Sequence, residues 1–486
     1  MGCHFCVAEG PQGSARIGVY MNLYEFLLQY RDSGRLPMHM PGHKRQPPFS
    51  MEDPYGLDVT EVEGTEVEGT DNLHHPEGRI RRLMDQMRKM YGTRESYLLV
   101  NGSTCGILAA MSACCQKGDK VLVARNCHRS VYHGIYLLGL EPVYLQPEID
   151  PQTGAALQCP PEEVEKALET HENATCVILT SPTYEGVVSE VGKIAEIVHR
   201  YQIPLVVDEA HGAHLNWMRG WKTAMEEGAD LVIESLHKTL PALTQTAVLH
   251  RCSDRVAAEK IRRYLDIYET SSPSYVLMAS VAQCMDWLEQ EGKPAFCAYV
   301  KRLERFYEEA KRWRHLSLWH HRLKEPGKLV IYTGKADISA TELAERLRNS
   351  YNIEIEMVAA EYVLAMTTVA DTDASLERLM QALSDMDETL SESEPHMHET
   401  GSVLPQKKYS SYEAMNGPWE EVPIEKACGR VSAEYIMVYP PGIPFVVPGE
   451  MIDLHVLGQI SEAKEKRLNL TGTADDRVSN LRVLKE

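Results

Sequence analysis

Asp230-Leu231-Val232-Ile233 leads into Ser235-Leu236-His237-Lys238-Thr239, and upstream Ile203-Pro204-Leu205-Val206-Val207 leads into Asp208-Glu209-Ala210-His211-Gly212. Each apolar run has the length and bulk of a buried strand, and each ends in charged or polar residues. Buried charges are costly unless they are paired. An acid and a lysine at the ends of successive strands therefore call for partners at one edge of a sheet. Around this pair the pattern repeats. Strand patterns at Ser96–Val100, Lys120–Ala124, Glu141–Leu145, Thr175–Leu179, Pro204–Val207, Asp230–Ile233 and Thr246–His250 alternate with helical ones at Cys105–Cys115, Val131–Leu138, Pro161–His171 and Val191–Tyr201. Regular β/α alternation with near-continuous apolar strands predicts an α/β domain, a mostly parallel sheet with helices on both faces. Ligands bind such sheets at the carboxyl ends of the strands.

The chain has 486 residues, enough for more than one domain, with 43% hydrophobic and 25% charged residues. Its formal charge of −20 disfavours nucleic acid and anionic membrane as partners. No apolar run approaches the ~20 residues of a membrane helix. The 12 cysteines are scattered irregularly, as expected of small apolar side chains in a reducing cytoplasm rather than a disulfide framework. Cys3-His4-Phe5-Cys6 has metal-site spacing, but no second ligand pair follows it, so no metal is expected. Residues 1–20 read as an extension that is disordered, with Met21 as the natural start. Residues 21–77 hold an N-terminal helix and a loop rich in Pro, Gly and His. Residues 78–290 form the large α/β domain, 291–390 a smaller α+β domain, 391–408 a linker and 409–486 a C-terminal α+β module. The loop contains a tandem repeat, Glu61-Val62-Glu63-Gly64-Thr65 and Glu66-Val67-Glu68-Gly69-Thr70. It is too short for a solenoid.

Three further stretches carry chemistry. Asn101-Gly102-Ser103-Thr104-Cys105-Gly106 follows a strand and opens a helix. The glycine lets the backbone approach an anion, and the helix N–H groups with the Ser103 and Thr104 hydroxyls suit a phosphate; the plainer reading is a helix cap. His128, in Arg125-Asn126-Cys127-His128, is positioned to stack on a planar ring or to cap the next helix. Asp208 fits a protonated ring nitrogen, a metal or a buried arginine. His211 is placed to brace the ring or Asp208, Ser235 to add a hydrogen bond to a phosphate, and His237 to handle protons at a substrate carbon. The order phosphate loop, ring histidine, acid, lysine, each at a strand's carboxyl end, is what a pyridoxal 5'-phosphate (PLP) site requires. The lysine would carry the cofactor covalently and the acid would keep its pyridine nitrogen protonated.

The chain resembles the Orn/Lys/Arg decarboxylase family. The resemblance rests on Pro41-Gly42-His43-Lys44, the Asp71–Gly78 stretch DNLHHPEG, NGSTCG at 101–106, Asp208–Gly212, Ser235–Thr239, Thr270–Tyr275 and the late YPPGIP at 439–444. It spans residue 21 to the C-terminal region and is nearer the short branch without a flavodoxin-like domain. It implies an aspartate-aminotransferase-like PLP domain (fold type I), with Lys238 as the Schiff-base lysine, Asp208 on the pyridinium and His128 on the ring face. Ser103, Thr104 and Ser235 would bind the phosphate, with His211 near the ring and His237 beside the lysine. Ser271–Tyr275 would help close the site across the interface of a homodimer or larger homo-oligomer, and Glu434 would meet the substrate's distal cation. The expected reaction is decarboxylation of a basic L-amino acid: arginine to agmatine first, then lysine to cadaverine, then ornithine to putrescine. His237 or Lys238 would return a proton to Cα. Another fold-type-I activity such as an aminotransferase, and a cofactor-free binding homologue, are the competing readings. The chain departs from the family pattern in its doubled EVEGT and in Leu236, where threonine is more familiar.

Overall fold

The computed structural model describes residues 32–45, 63–67, 69–394, 404–440 and 442–485. The chain divides into residues 1–36, described only from Asp32, and residues 37–486. Cys3–Cys6, Met21 and parts of the EVEGT repeat lie outside the described residues.

The centre of the second unit is a seven-stranded sheet of β1 (Glu95–Leu99), β2 (Lys120–Ala124), β3 (Glu141–Leu145), β4 (Ala174–Thr180), β5 (Leu205–Asp208), β6 (Leu231–Glu234) and β7 (Ala247–Arg251). Its order is β1-β7-β6-β5-β4-β2-β3. β7 runs antiparallel to both β1 and β6, and the remaining pairs are parallel. The sequence expectation of an α/β, mostly parallel sheet holds. Strand interiors such as Val121–Val123, Val177–Leu179, Leu205–Val207 and Leu231–Ile233 are buried to within 1%. Side chains on both faces are covered, so these runs show no polar alternation. Each such side chain contributes roughly 1.5–3 kcal/mol of burial.

The helix Gly102–Cys114 packs closely on the sheet. A Cβ on Gly106 would lie 2.8 Å from Leu99 Cδ1 and 3.0 Å from Ile233 Cγ2, so this approach requires glycine. Opposite β2, Arg129–Leu138 follows its cap at His128. The boundary expected at residues 290 and 291 falls inside one 36-residue helix, Tyr275–Ala310, which passes through Gly292 and Pro294. Met278, Cys284, Phe296, Tyr299 and Leu303 stay buried along its length, so packing overrides the breakers.

The small domain is a four-stranded antiparallel sheet built around Lys328–Tyr332 and Tyr362–Met366, with helices Ala340–Ser350 and Asp373–Asp387. The C-terminal module contributes its own small core around Ile436, Val446, Ile460 and Leu481. Its Tyr435, Met437 and Val447 join the core of the large domain. Docking is fixed by a buried ion pair: Arg125 donates to Glu450 Oε1 at 3.0 Å and Oε2 at 2.8 Å, and to the Phe445 carbonyl at 3.2 Å. Among the described residues no helix is long and apolar enough to cross a membrane.

Candidate active site

The carboxyl ends of β1, β2, β4, β5 and β6 meet at one edge of the sheet, where Thr180 and Asp208 are in register and Asp208 faces Ile233 across the next pair. A cavity of about 300 Å³ opens there. It is lined by Ser103, Thr104, His128, Asp208, His211, Ser235, His237 and Lys238. The structure thus gathers every sequence-selected residue except Glu434, from segments more than a hundred residues apart.

Lys238 sits in a single helical turn, Leu236–Thr239, directly after β6. Its Nζ lies 3.0 Å from His211 Nε2. Burial lowers the lysine's pKa and the charge of Asp208 opposes that fall. Asp208 is 3% exposed. Burial raises its pKa, while Lys238 and the Ala210 N–H, 3.1 Å from Oδ1, pull it down.

His211 is held between two lysines, because its Nδ1 lies 3.0 Å from Lys328 Nζ. Burial, then Lys238 and Lys328, keep its pKa well below the ordinary value, so the imidazole is neutral. Lys328 comes from the small domain, and burial brings its pKa down to about 8 against the pull of Glu325. At neutral pH Lys328 remains mostly a cation and can only donate. Nδ1 of His211 must then accept, which places the ring proton on Nε2, facing Lys238.

His237 Nδ1 donates to the Thr246 carbonyl at 2.9 Å, and burial lowers its pKa to about 4. His128 caps the next helix, as one of its sequence readings has it, and also lines the cavity. Its Nδ1 accepts from the Ser130 N–H at 3.3 Å and caps Arg129–Leu138, while the ring lines the cavity. Burial, with Lys238 and Arg129 nearby, lowers its pKa to about 3.

The residues fit PLP. The Ser235 hydroxyl is completely buried and has no protein partner among the described residues. The same holds for the Oδ1 atom of Asn126, also on the cavity wall. An orphaned buried hydroxyl costs about 1–3 kcal/mol unless a ligand or water satisfies it. The N-cap Asn101 makes no side-chain bond to the helix Gly102–Cys114; the Gly102 N–H donates to the Gln245 carbonyl at 3.0 Å, and Ser103 and Thr104 in the first turn line the cavity. An anion suits this end, and Asp208 suits a protonated ring nitrogen.

Sequence reasoning marked Pro41–Lys44 and Asp71–Gly78 as family stretches but assigned the framing residues in them no role. The N–H of Gly42 donates to the His237 carbonyl at 2.7 Å, and a Cβ there would lie 2.6 Å from the Leu240 carbonyl oxygen. Pro41-Gly42-His43-Lys44 thus braces the backbone around Lys238. Lys44 is a buried strut, donating to the Pro37 and His39 carbonyls at 3.1 and 2.9 Å and lying 3.9 Å from Asp371. Asp71 accepts from the amides of Gly78 and Ile80, each at 2.8 Å, at the start of the helix Arg79–Tyr91. His74 joins this loop to Thr270, 2.9 Å from its carbonyl. Missed too were Lys328, far along the chain from the motifs, and Glu185, on the loop just after β4, whose meeting with the site is fixed only by folding.

Glu434 is the exception. Its two oxygens accept from the Arg482 and Ala474 amides, each at 2.8 Å, and it does not line the cavity. The expectation that it meets a substrate cation has no support in this chain's own cavity, where the carboxylate instead fastens turns of the C-terminal module.

Residues 21–326 match the model of the Orn/Lys/Arg decarboxylase major domain, and residues 392–466 match that of the Orn/Lys/Arg decarboxylase C-terminal domain. An arginine decarboxylase of Bacillus anthracis is 30% identical over 478 residues, covering 96% of this chain and 97% of that protein. An arginine decarboxylase of Bacillus subtilis is 28% identical over 480 residues, covering 96% and 98%. The solved lysine decarboxylase A from Pseudomonas aeruginosa superposes with a TM-score of 0.73 at 16% identity, over 96% of this chain and 84% of that one. That likeness shows that the two chains share one fold.

Proposed function

The chain belongs to the Orn/Lys/Arg decarboxylase family and is a basic amino-acid decarboxylase, and from that premise we propose that it converts L-arginine to agmatine and CO₂ with PLP held at Lys238. Arginine is favoured because the arginine decarboxylases of B. anthracis and B. subtilis align with this chain over nearly its whole length. Lysine, then ornithine, are the next candidates.

The observation that carries the reading is the half-buried Lys238 within 3.0 Å of a neutral histidine, in one cavity with Asp208 and an unpartnered Ser235 hydroxyl. When bound, PLP supplies a ring that takes up the electron pair left as the Cα–carboxylate bond breaks. The rest falls to this chain's residues. Asp208 would hold the proton of the ring nitrogen, Ser103, Thr104 and Ser235 would hold the phosphate, and His128 would lie against the ring. The Nε2–H of His211 donates to Lys238 Nζ and so favours the uncharged amine, the form that can bond covalently to the cofactor. Lys328 is the positioning residue that sets this tautomer. Return of a proton to Cα falls to Lys238 rather than His237. Burial makes the lysine ammonium more acidic, whereas His237 is held neutral with its Nδ1 proton committed to Thr246. The reaction consumes one proton for each CO₂ released.

Ser271 and Ser272 are exposed next to the loop that His74 fastens, in position to meet a second copy in a homodimer. Purified holoenzyme given arginine, lysine and ornithine, with CO₂ release followed and the amine identified by mass spectrometry, tests the activity. Release from none of the three refutes it. Borohydride reduction followed by peptide mapping should place the cofactor's mass on Lys238, and Lys238→Ala should carry none.

A further inference from the structure

Glu185 is a fully buried carboxylate on the loop after β4, and the mechanism leaves it without a task. It lines the cavity of Lys238 together with one other carboxylate, Asp208. It also lines an adjoining chamber of about 310 Å³ between the large domain, the small domain and the C-terminal module. Asn126, Ala156, Glu185 and Ile443 are common to both spaces, so Glu185 stands at the junction. Tyr362 donates to its Oε1 at 2.8 Å and Thr183 to its Oε2 at 3.0 Å. Among the described residues no cation pairs with it within 4.0 Å, although Lys328 and Lys324 act on it from farther away. Burial raises its pKa. A buried carboxylate held by two hydroxyls and its own backbone N–H, with no cation in contact, is costly, and an incoming cation repays part of that cost.

We propose that Glu185 receives the distal cation of the substrate. This rests on the reading of the substrate as a basic amino acid. With Asp208 facing the ring nitrogen, Glu185 is the carboxylate left in the cavity to meet the far end of the side chain. Tyr362 and Thr183 donate to one oxygen each and the backbone N–H of Glu185 adds a third donor, which leaves the carboxylate acceptor capacity for the N–H groups of a guanidinium. An ammonium has no such planar fork, so the geometry favours arginine over lysine. The role assigned to Glu434 from sequence passes to a residue on the opposite side of the module boundary.

The test uses Glu185→Gln holoenzyme, which keeps size and hydrogen bonding but loses charge. KM for arginine is expected to rise about 10- to 100-fold, the range for losing hydrogen bonds to a charged group, with a smaller change in kcat. n-Butylguanidinium, which lacks the α-amine and cannot bond to the cofactor, should compete with arginine in the wild type and lose affinity by a similar factor in the variant. Residual turnover of norleucine, a side chain without the cation, should be unaffected. Unchanged KM and unchanged n-butylguanidinium affinity overturn the proposal, as does an equal loss for norleucine. If Glu185→Gln does not fold, Tyr362→Phe, which removes a donor that aims Glu185, is read in the same assays by the same criteria. A wild type that releases CO₂ from no basic amino acid overturns the underlying reading instead.

Discussion

Glu450→Gln tests whether the C-terminal module holds the catalytic loop in place. The pair Arg125–Glu450 is bidentate, and its side chains are 7% and 2% exposed. The guanidinium also lies 4.7 Å from the Tyr144 ring centroid. Burial, the largest single effect, opposes the charge on Arg125, but Glu450 together with Tyr132 and Tyr144 raises the arginine's pKa on balance. For Glu450 burial wins and its pKa is raised despite the arginine. The pair therefore holds together by mutual compensation, and each charge is expensive alone. The substituted amide can still accept from the Val447 N–H, which meets Glu450 Oε2 at 2.8 Å, but its NH₂ would turn a donor toward the guanidinium. Breaking one side of a buried pair costs about 3–5 kcal/mol. Urea unfolding followed by far-UV circular dichroism should show a loss of that size. Because Arg125 opens the loop that carries Asn126 and His128, affinity for PLP should fall as well. Arg125→Met with Glu450→Leu should recover most of the stability, since an apolar pair has no stranded charge, and the cycle should give a coupling of at least about 2 kcal/mol. A single variant within about 0.5 kcal/mol of wild type, or a double variant no better than either single, would refute the reasoning.

Gly42→Ala brings a Cβ to 2.6 Å from the Leu240 carbonyl oxygen, a backbone atom with no freedom to swing away; a stability loss of about 1–3 kcal/mol and a lower kcat are expected, and wild-type values in both would show that the close approach is not required. Lys328→Met removes the cation that sets the His211 tautomer, so the acid limb of the kcat–pH profile should move to higher pH as His211 is released from that charge; an unmoved limb would count against the tautomer argument. His128 at about 3 and His237 at about 4 both lie below the ordinary 6.5. The unfolded chain therefore takes up protons first, and stability is intact above about pH 6.5 and lost as pH falls toward 4 and below, by on the order of a few kcal/mol. Urea midpoints at about pH 7.5 and about pH 5 should differ in that direction, and equal midpoints would contradict it.

The sheet was legible because its strands are fully covered. Lys120–Ala124 and Glu141–Leu145 were expected from sequence and stand at those residues in the structure, since a short apolar run flanked by loop signals has few alternatives. The helix Tyr275–Ala310 was not, because Gly292 and Pro294 mimic a boundary that only the burial of Phe296 and Tyr299 removes. The direction of β7 was equally unreadable, as its composition is the same either way round.

Lys238, Asp208, His128 and Ser235 could be selected from sequence because each is a particular side chain at the end of a particular apolar run, and that relation is local and covalent. Lys328, Glu185 and Glu450 could not, and Gly42 stood in a family stretch without a role. Their meaning lies in what they approach: His211 across the domain boundary, the junction of two cavities, the carbonyl of Leu240, the guanidinium of Arg125. Such contacts join residues from 117 to 325 positions apart for His211–Lys328 and Arg125–Glu450. No periodicity encodes them, because the packing of three modules on one sheet edge decides which buried charges find partners. The sequence alone sets the chemistry at the α-carbon end of the site; the tertiary structure decides what stands at the other end.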